Sequence, residues 1–222
     1  MAMNPRHAPM RFHSFWARFA CAAIRLDAQA ASTKHAALRH TTKLETESAM
    51  KALEVYIGEG FAGPGVNAAH INIMIGPRSG PVGQAFTNSL SSPSQGHVPF
   101  MVVAQPNVPV KPATLYVNKA DIRGDLHGNA TWGASQAAIA KAVTEAMLDG
   151  TLPPEAENEW CIVTANWVNW SCDDLDAVYE NNYTACKTAI RAAMNGLPKL
   201  DDVAKIKDQI SNPFYTPKAR AA

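Results

Sequence analysis

An alternating segment from Ala69 to Gly76 constrains the fold of this 222-residue chain more than any other part of the sequence. Three isoleucines recur there with a period of two, so they share one face of a β-strand and are predicted to point into a core: Ile71, Ile73 and Ile75. The opposite face carries His70, Asn72 and Met74. A titratable imidazole close to an amide on the outer face of a strand predicts one wall of an active site.

Strand and helix patterns alternate on both sides of this segment. Apolar residues four positions apart predict a helix from Pro81 to Leu90, and longer helical patterns cover 134–148 and 175–194. Apolar runs predict further strands at 54–58, 98–104, 114–122 and 160–168. Several connections are too short for a helical crossover, so some strand pairs must be antiparallel. The prediction is an α+β fold, a mixed sheet with helices packed on one side as a two-layer sandwich.

The first 49 residues differ in composition from the rest of the chain. They contain seven basic and three acidic residues, and the apolar patch that begins at Phe15 is interrupted by Arg18, which makes it a poor signal-peptide core. The composition predicts a poorly ordered N-terminal extension at 1–49, a domain at 50–200 and a C-terminal tail at 201–222. A targeting segment, or a start assigned upstream of Met50, are the alternatives for the extension.

Charge and cysteine usage exclude several classes of function. The net charge of +1 gives no reason to expect a nucleic-acid partner, and no apolar run approaches the ~20 residues that span a bilayer. The four cysteines show neither CxxC spacing nor neighbouring histidines, so no metal site is expected from Cys21, Cys161, Cys172 and Cys186. They are predicted to be reduced thiols of a cytoplasmic protein.

A GxGxxG match from Gly58 to Gly63 suggests a dinucleotide site, but its context is wrong. The last glycine should open a helix that holds a pyrophosphate, whereas Pro64 leads directly into the alternating strand. These glycines are instead predicted to form a mobile turn near the site. No Asp or Glu occurs between Glu59 and Asp121, which excludes glycosidase-type carboxylate pairs and magnesium clusters from this half of the chain. A pocket built there would suit a polar heterocycle or an anion.

Several motifs in series carry a resemblance to a known family. In register over about residues 53 to 197, the chain resembles the formaldehyde-activating enzymes. The matching segments are Val66–Gly76, Gly80–Phe86, Leu90–His97, Pro106–Leu115, Trp132–Val143 and Asn182–Arg191.

The resemblance implies both a fold and an activity. It implies a sandwich of the kind found in the second domain of ribosomal protein S5, and a metal-free homo-oligomer, typically a pentamer, with the pterin bound between subunits. It implies a lyase that condenses formaldehyde with tetrahydromethanopterin to methylene-tetrahydromethanopterin and water, in one-carbon metabolism and formaldehyde detoxification. The alternatives are a non-catalytic carrier or sensor of a pterin or aldehyde, and a lyase that uses a different aldehyde or pterin.

The resemblance also assigns a catalytic residue. The family's catalytic histidine falls on His70, which is expected to be the proton donor. When an amine adds to formaldehyde, the resulting carbinolamine must lose hydroxide, a poor leaving group unless it is protonated as it departs. An imidazole with an ordinary pKa of ~6.5 can supply that proton near neutral pH.

The family's substrate contacts map onto five further residues: Asn72, Met101, Lys119, Asp121 and Gln136. Lys119 offers a positive charge to the ligand, and Gln136 offers a donor and an acceptor to the edge of a pterin. Asn72 stands where the family carries aspartate, and Asp121 where threonine is typical. A neutral amide in place of a carboxylate favours the imidazolium less, so His70 is expected to hold its proton more weakly than in a typical member.

Overall fold

The computed structural model describes residues 50–51, 53–213 and 215–218. The chain divides into two units, Met1–Met50 and Lys51–Ala222, and all described residues except Met50 belong to the second. The extension expected at 1–49 lies outside the described residues, and the domain boundaries at 50 and 200 stay predictions.

Strands and helices alternate through the second unit. The strands are β1 (Tyr56–Ala62), β2 (Ala69–Pro77), β3 (Phe100–Met101), β4 (Val103–Gln105), β5 (Val108–Pro109), β6 (Ala113–Asn118) and β7 (Trp160–Trp167). The helices are α1 (Pro81–Ser91), α2 (Gly124–Gly128), α3 (Gln136–Leu148), α4 (Ala156–Glu159), α5 (Leu175–Asn195) and α6 (Leu200–Lys205), with a π-helical segment (Asn129–Ser135) between α2 and α3. Among the described residues, no helix is both long and apolar enough to cross a bilayer.

Five of the strands form one mixed sheet in the order β1-β2-β7-β6-β3. The pairs β1–β2, β2–β7 and β3–β6 are antiparallel, whereas β6 and β7 run parallel. Strands β4 and β5 form a separate hairpin. The edge strands of the main sheet are β1 and β3, and β2 lies next to β1.

The long helices α3 and α5 cover one face of this sheet, which confirms the predicted α+β fold with helices packed on one side. The alternation in β2 sets the two faces, because its three isoleucines are at most 1% exposed and pack against both helices: Ile71, Ile73 and Ile75. On the opposite face, α1 packs through Val82 and Phe86 around Met74 and Val163. His70 lies four residues from Met74 along β2, about 14 Å from this contact.

Gly58 and Gly60 of the GxGxxG match belong to β1, so the predicted mobile turn is wrong for these two residues. A Cβ atom on Gly60 would lie 2.0 Å from the carbonyl oxygen of Ala185, and one on Gly58 would lie 2.0 Å from that of Ala189. Since both carbonyls belong to α5, the missing side chains allow this helix to rest directly on the edge strand. The chain turns only afterwards, at Gly63, with a φ of +78°.

The region between α1 and α3 differs most from the predicted elements. The strand expected at 98–104 is divided into β3 and β4, and the proline-rich connector that follows contains β5. Asn107 has a φ of +68° and turns the chain back between β4 and β5. Helix α2 and the π-helical segment have no counterpart among the predicted elements.

The Gly60→Ala substitution is expected to lower the free energy of unfolding by about 2–3 kcal/mol, because the added methyl group forces α5 away from β1. Urea unfolding followed by circular dichroism measures this. Gly133→Ala is the matched control, since nothing lies within 4 Å of a Cβ atom at that position. Equal stability of the two variants would contradict the packing role of Gly60.

Candidate active site

His70 and Asn72 lie on the face of β2 that points away from α3 and α5. In the sheet, His70 lies opposite Phe61 of β1 and Trp167 of β7, and Asn72 lies opposite Glu59 of β1. The rings of Phe61 and His70 are 6.3 Å apart and tilted by 53°. Phe61 and Trp167, on the two adjacent strands, therefore flank the imidazole on this face of the sheet.

Two polar contacts organise this group of side chains. The Oε1 atom of Glu59 lies 3.1 Å from Nε2 of His70. The Nζ atom of Lys119 donates a hydrogen bond of 2.5 Å to Oδ1 of Asn72. Lys119 follows β6, and its backbone N–H donates to the carbonyl oxygen of Asn166 at 2.8 Å. This bond continues the β6–β7 pairing by one residue and fixes the point from which the lysine side chain reaches Asn72.

Burial and charge shift the pKa values of both basic groups. Partial burial lowers the pKa of His70 below its ordinary value, the positive charge of Lys119 lowers it further, and Glu59 acts in the opposite direction. Burial also lowers the pKa of Lys119, again against the influence of Glu59. A lowered pKa makes the imidazolium a stronger acid but reduces its population at neutral pH. The carboxylate of Glu59 limits that loss.

A cleft of about 660 Å³ opens at the imidazole, and we call it the His70 cleft. The strands supply Glu59, Phe61 and His70, and the C-terminal segment supplies Ser211, Asn212 and Pro213. Its volume falls in the range of pockets that bind small molecules. Its lining combines the ring of Phe61 with the polar side chains of Glu59 and His70, which suits a flat ligand with polar edges.

Two other predicted site residues, Met101 and Gln136, lie away from His70, towards the β3 edge of the sheet. Met101 is in edge strand β3. This strand is three strands from β2, so the two strands are about 14 Å apart across the sheet. It lines a separate pocket of about 240 Å³ with Arg78 and Phe86. Gln136 opens α3, is 8% exposed, and accepts a hydrogen bond of 2.6 Å from the backbone N–H of Val103. Because Val103 is two residues from Met101, both predicted residues lie towards the β3 edge of the sheet.

Asp121 follows Lys119 by two residues but makes contacts of its own. Its backbone oxygen accepts from Nε1 of Trp170 at 2.9 Å, and its carboxylate lies 3.4 Å from Nε of Arg123. The Arg123 guanidinium stacks 3.7 Å above the Trp170 ring. The structure thus brings together His70, Asn72 and Lys119, and of the predicted site residues His70 is the one that lines the His70 cleft.

Glu59 and Phe61 are the site residues that the sequence reasoning missed. They alternate with Gly58 and Gly60 and so share the outer face of β1, but the predicted strand ended at Gly58. A period-two reading continued through the glycine motif would have found them. Among the described residues, no three His, Cys, Asp or Glu side chains lie close enough together to hold a metal ion.

Nearly the whole of this fold is similar in sequence to known proteins. Residues 57–215 match the family model described as formaldehyde-activating enzyme (Fae). The chain belongs to the formaldehyde-activating enzyme family. A 5,6,7,8-tetrahydromethanopterin hydro-lyase from Methanosarcina barkeri is 43% identical to it over 162 residues, which are 73% of this chain and 91% of the relative. The predicted membership of the Fae family is confirmed.

Longer relatives contain a region similar to this Fae chain. A bifunctional enzyme Fae/Hps from Methanococcoides burtonii is 36% identical over 156 residues, which are 70% of this chain and 39% of the relative. One from Methanothrix thermoacetophila is 38% identical over 157 residues, which are 71% and 40% of the two proteins. The Fae chain thus spans well under half of these bifunctional proteins.

The Asn72→Asp substitution is expected to raise the pKa of His70. A carboxylate at this position would neutralise part of the charge on Lys119 and would itself favour the imidazolium. NMR titration of the His70 ring measures the change. Asn195→Asp adds the same charge at the end of α5, beyond the opposite face of the sheet, and should leave the titration of His70 unchanged. A His70 titration that Asn72→Asp does not move would contradict this electrostatic account.

Proposed function

We propose that this protein condenses formaldehyde with tetrahydromethanopterin to methylene-tetrahydromethanopterin and water. The observation that carries the proposal is the position of His70, in a cleft beside a carboxylate and an aromatic ring, in a chain 43% identical to a tetrahydromethanopterin hydro-lyase along most of that relative. Both substrates enter as free molecules, so the cleft has to orient two reactants and supply one proton.

His70 acts as the proton donor. An amine of the pterin adds to the formaldehyde carbon, and the adduct loses hydroxide as a C–N double bond forms. The imidazolium protonates the departing oxygen so that it leaves as water. The second amine then closes the ring, and its proton is released. The lowered pKa of His70 supports this role because it makes the imidazolium a stronger acid.

Asn72 and Lys119 bind and orient the substrates. With its Oδ1 atom accepting from Lys119, Asn72 presents its amide N–H groups as donors. Lys119 keeps two further N–H donors for an electron-rich edge of the ligand. Holding two reacting nitrogens in line with one carbon contributes to the rate through orientation, in addition to the acid.

Met101 and Gln136 are proposed to contact the pterin from a neighbouring subunit, and Asp121, two residues after Lys119, to contact it from the same chain as Lys119. His70 lies next to edge strand β1, while Met101 and Gln136 lie at edge strand β3, so a single chain presents two half-sites at opposite sides of its sheet. A ring of identical subunits joins unlike surfaces of successive copies, which unites the two half-sites. This supports the homo-oligomer, a pentamer by resemblance, that the family implies.

The remaining expectations are proposed on the same basis. The reaction needs no metal, because the imidazolium supplies the proton that activates the leaving group. A cytoplasmic location fits the three described cysteines, Cys161, Cys172 and Cys186, which are buried and free. Consumption of formaldehyde places the enzyme in one-carbon metabolism and formaldehyde detoxification.

The His70→Ala substitution is expected to reduce kcat for the condensation by about 10²–10⁴-fold, the contribution of a general acid. Purified protein is mixed with formaldehyde and tetrahydromethanopterin, and the methylene product is followed by absorbance. His97→Ala is the matched control, since His97 lies in a separate turn with Nδ1 3.1 Å from the carbonyl oxygen of Gln95. Full activity in His70→Ala would contradict the assignment.

The same experiment separates the alternatives. Pterin binding without acceleration by the wild-type protein would indicate a carrier or sensor. Acceleration only with another aldehyde or another reduced pterin would indicate a lyase of different specificity.

Mixing two inactive variants tests the shared site. Co-expressed His70→Ala and Met101→Glu subunits should recover about a quarter of the wild-type activity, because random assembly pairs an intact His70 with an intact neighbouring Met101 in that fraction of sites. Each variant alone should stay inactive. No recovery in the mixed oligomer would place the complete site within one chain.

A further inference from the structure

Glu59 lies beside the proton donor His70, and its contact with one ring nitrogen bears on which nitrogen delivers the proton. On the basis of the proposed condensation, we infer that Glu59 is a positioning residue. It holds Nε2 of His70, so that the other ring nitrogen, Nδ1, delivers the proton to the departing hydroxide. The inference starts from the distance of 3.1 Å between Oε1 of Glu59 and Nε2 of His70.

The backbone of β1 gives Glu59 a fixed starting point. Gly58 and Gly60 flank it, and at each of them a carbonyl group of α5 approaches so closely that no Cβ atom would fit. The strand is therefore held from behind by the helix and from the side by β2, where Glu59 lies opposite Asn72. Phe61 lies directly opposite His70, and Glu59 is two residues before Phe61 on the same face of β1. The carboxylate therefore reaches the imidazole diagonally across the strand pair.

This arrangement determines which nitrogen faces the substrate. Nε2 of His70 contacts the Glu59 carboxylate, so Nδ1 is the ring nitrogen on the other side of the ring, away from this contact. In the imidazolium, Nε2–H donates to the carboxylate and Nδ1–H is directed to the ligand. Proton transfer breaks the Nδ1–H bond and forms an O–H bond of water, and the neutral imidazole keeps Nε2–H towards an ionised Glu59. A carboxylate orients the imidazole of serine hydrolases by the same physical means.

The other groups around His70 do not stabilise the protonated ring as Glu59 does. Asn72 on β2 and Trp167 on β7 are not ionisable at neutral pH, nor are Ser211, Asn212 and Pro213 of the C-terminal segment. Within the part of the chain that the structure describes, Lys119, beyond β6, is the other charged group that acts on His70, and it favours the neutral ring, as burial does. Of the influences from these residues, removal of the Glu59 charge leaves only those that favour the neutral imidazole.

The test is Glu59→Gln, which keeps an acceptor oxygen near Nε2 but removes the charge. The pKa of His70, from NMR titration of the ring without ligand, should fall. Because the acid form is the active one, the decline of kcat with rising pH should begin at lower pH, with a loss of kcat of about tenfold at neutral pH. Glu59→Asp restores the charge and should return the titration towards that of wild type. In wild type, the nitrogen shifts of neutral His70 should report the tautomer protonated at Nε2.

Glu157→Gln is the control, because Glu157 is an exposed carboxylate of α4, where it pairs with Lys111 at 3.9 Å. A ring titration identical in Glu59→Gln and wild type, or a neutral ring protonated at Nδ1, would overturn the positioning role. The titration needs no substrate, so its result is independent of the proposed reaction. A shifted titration in a protein that does not catalyse the condensation would refute the reaction and leave the Glu59–His70 pairing supported.

Discussion

The direct packing of α5 on β1 is the contact on which the rest of the site depends. At two glycines of β1, the absence of a side chain leaves room for carbonyl groups of α5 to approach the strand. The outer face of the same strand then carries Glu59 and Phe61, the residues that face His70. The close approach on one face thus sets the position of the side chains on the other.

A balance of opposing charges follows from this geometry. His70 is partly buried and close to Lys119, and both conditions favour the neutral imidazole. Glu59 favours the protonated form and is 3.1 Å from the ring. An acid that must be strong and yet populated near neutral pH requires such a compromise. Asn72, which is neutral, takes part by holding the lysine rather than by adding a negative charge.

The sequence predicts the regular parts of this molecule and misses the parts that depend on distant contacts. The alternation in β2 predicts both faces correctly because a period of two is a local property of a strand. The hairpin of β4 and β5 depends on a turn at Asn107 that no periodic pattern shows. The local period of two places Glu59 on the outer face of β1, but its partnership with His70 depends on the register between two strands. Met101 and Gln136 are separated from His70 in one chain, and their part in the site stays a prediction.

The comparison of one titration with one rate profile tests the central claim most directly. In wild-type protein saturated with the pterin, the pKa of the His70 ring measured by NMR should coincide with the pH above which kcat for the condensation declines. Coincidence is the result expected if the imidazolium of His70 protonates the leaving hydroxide. A kcat that stays constant while His70 loses its proton would contradict the claim.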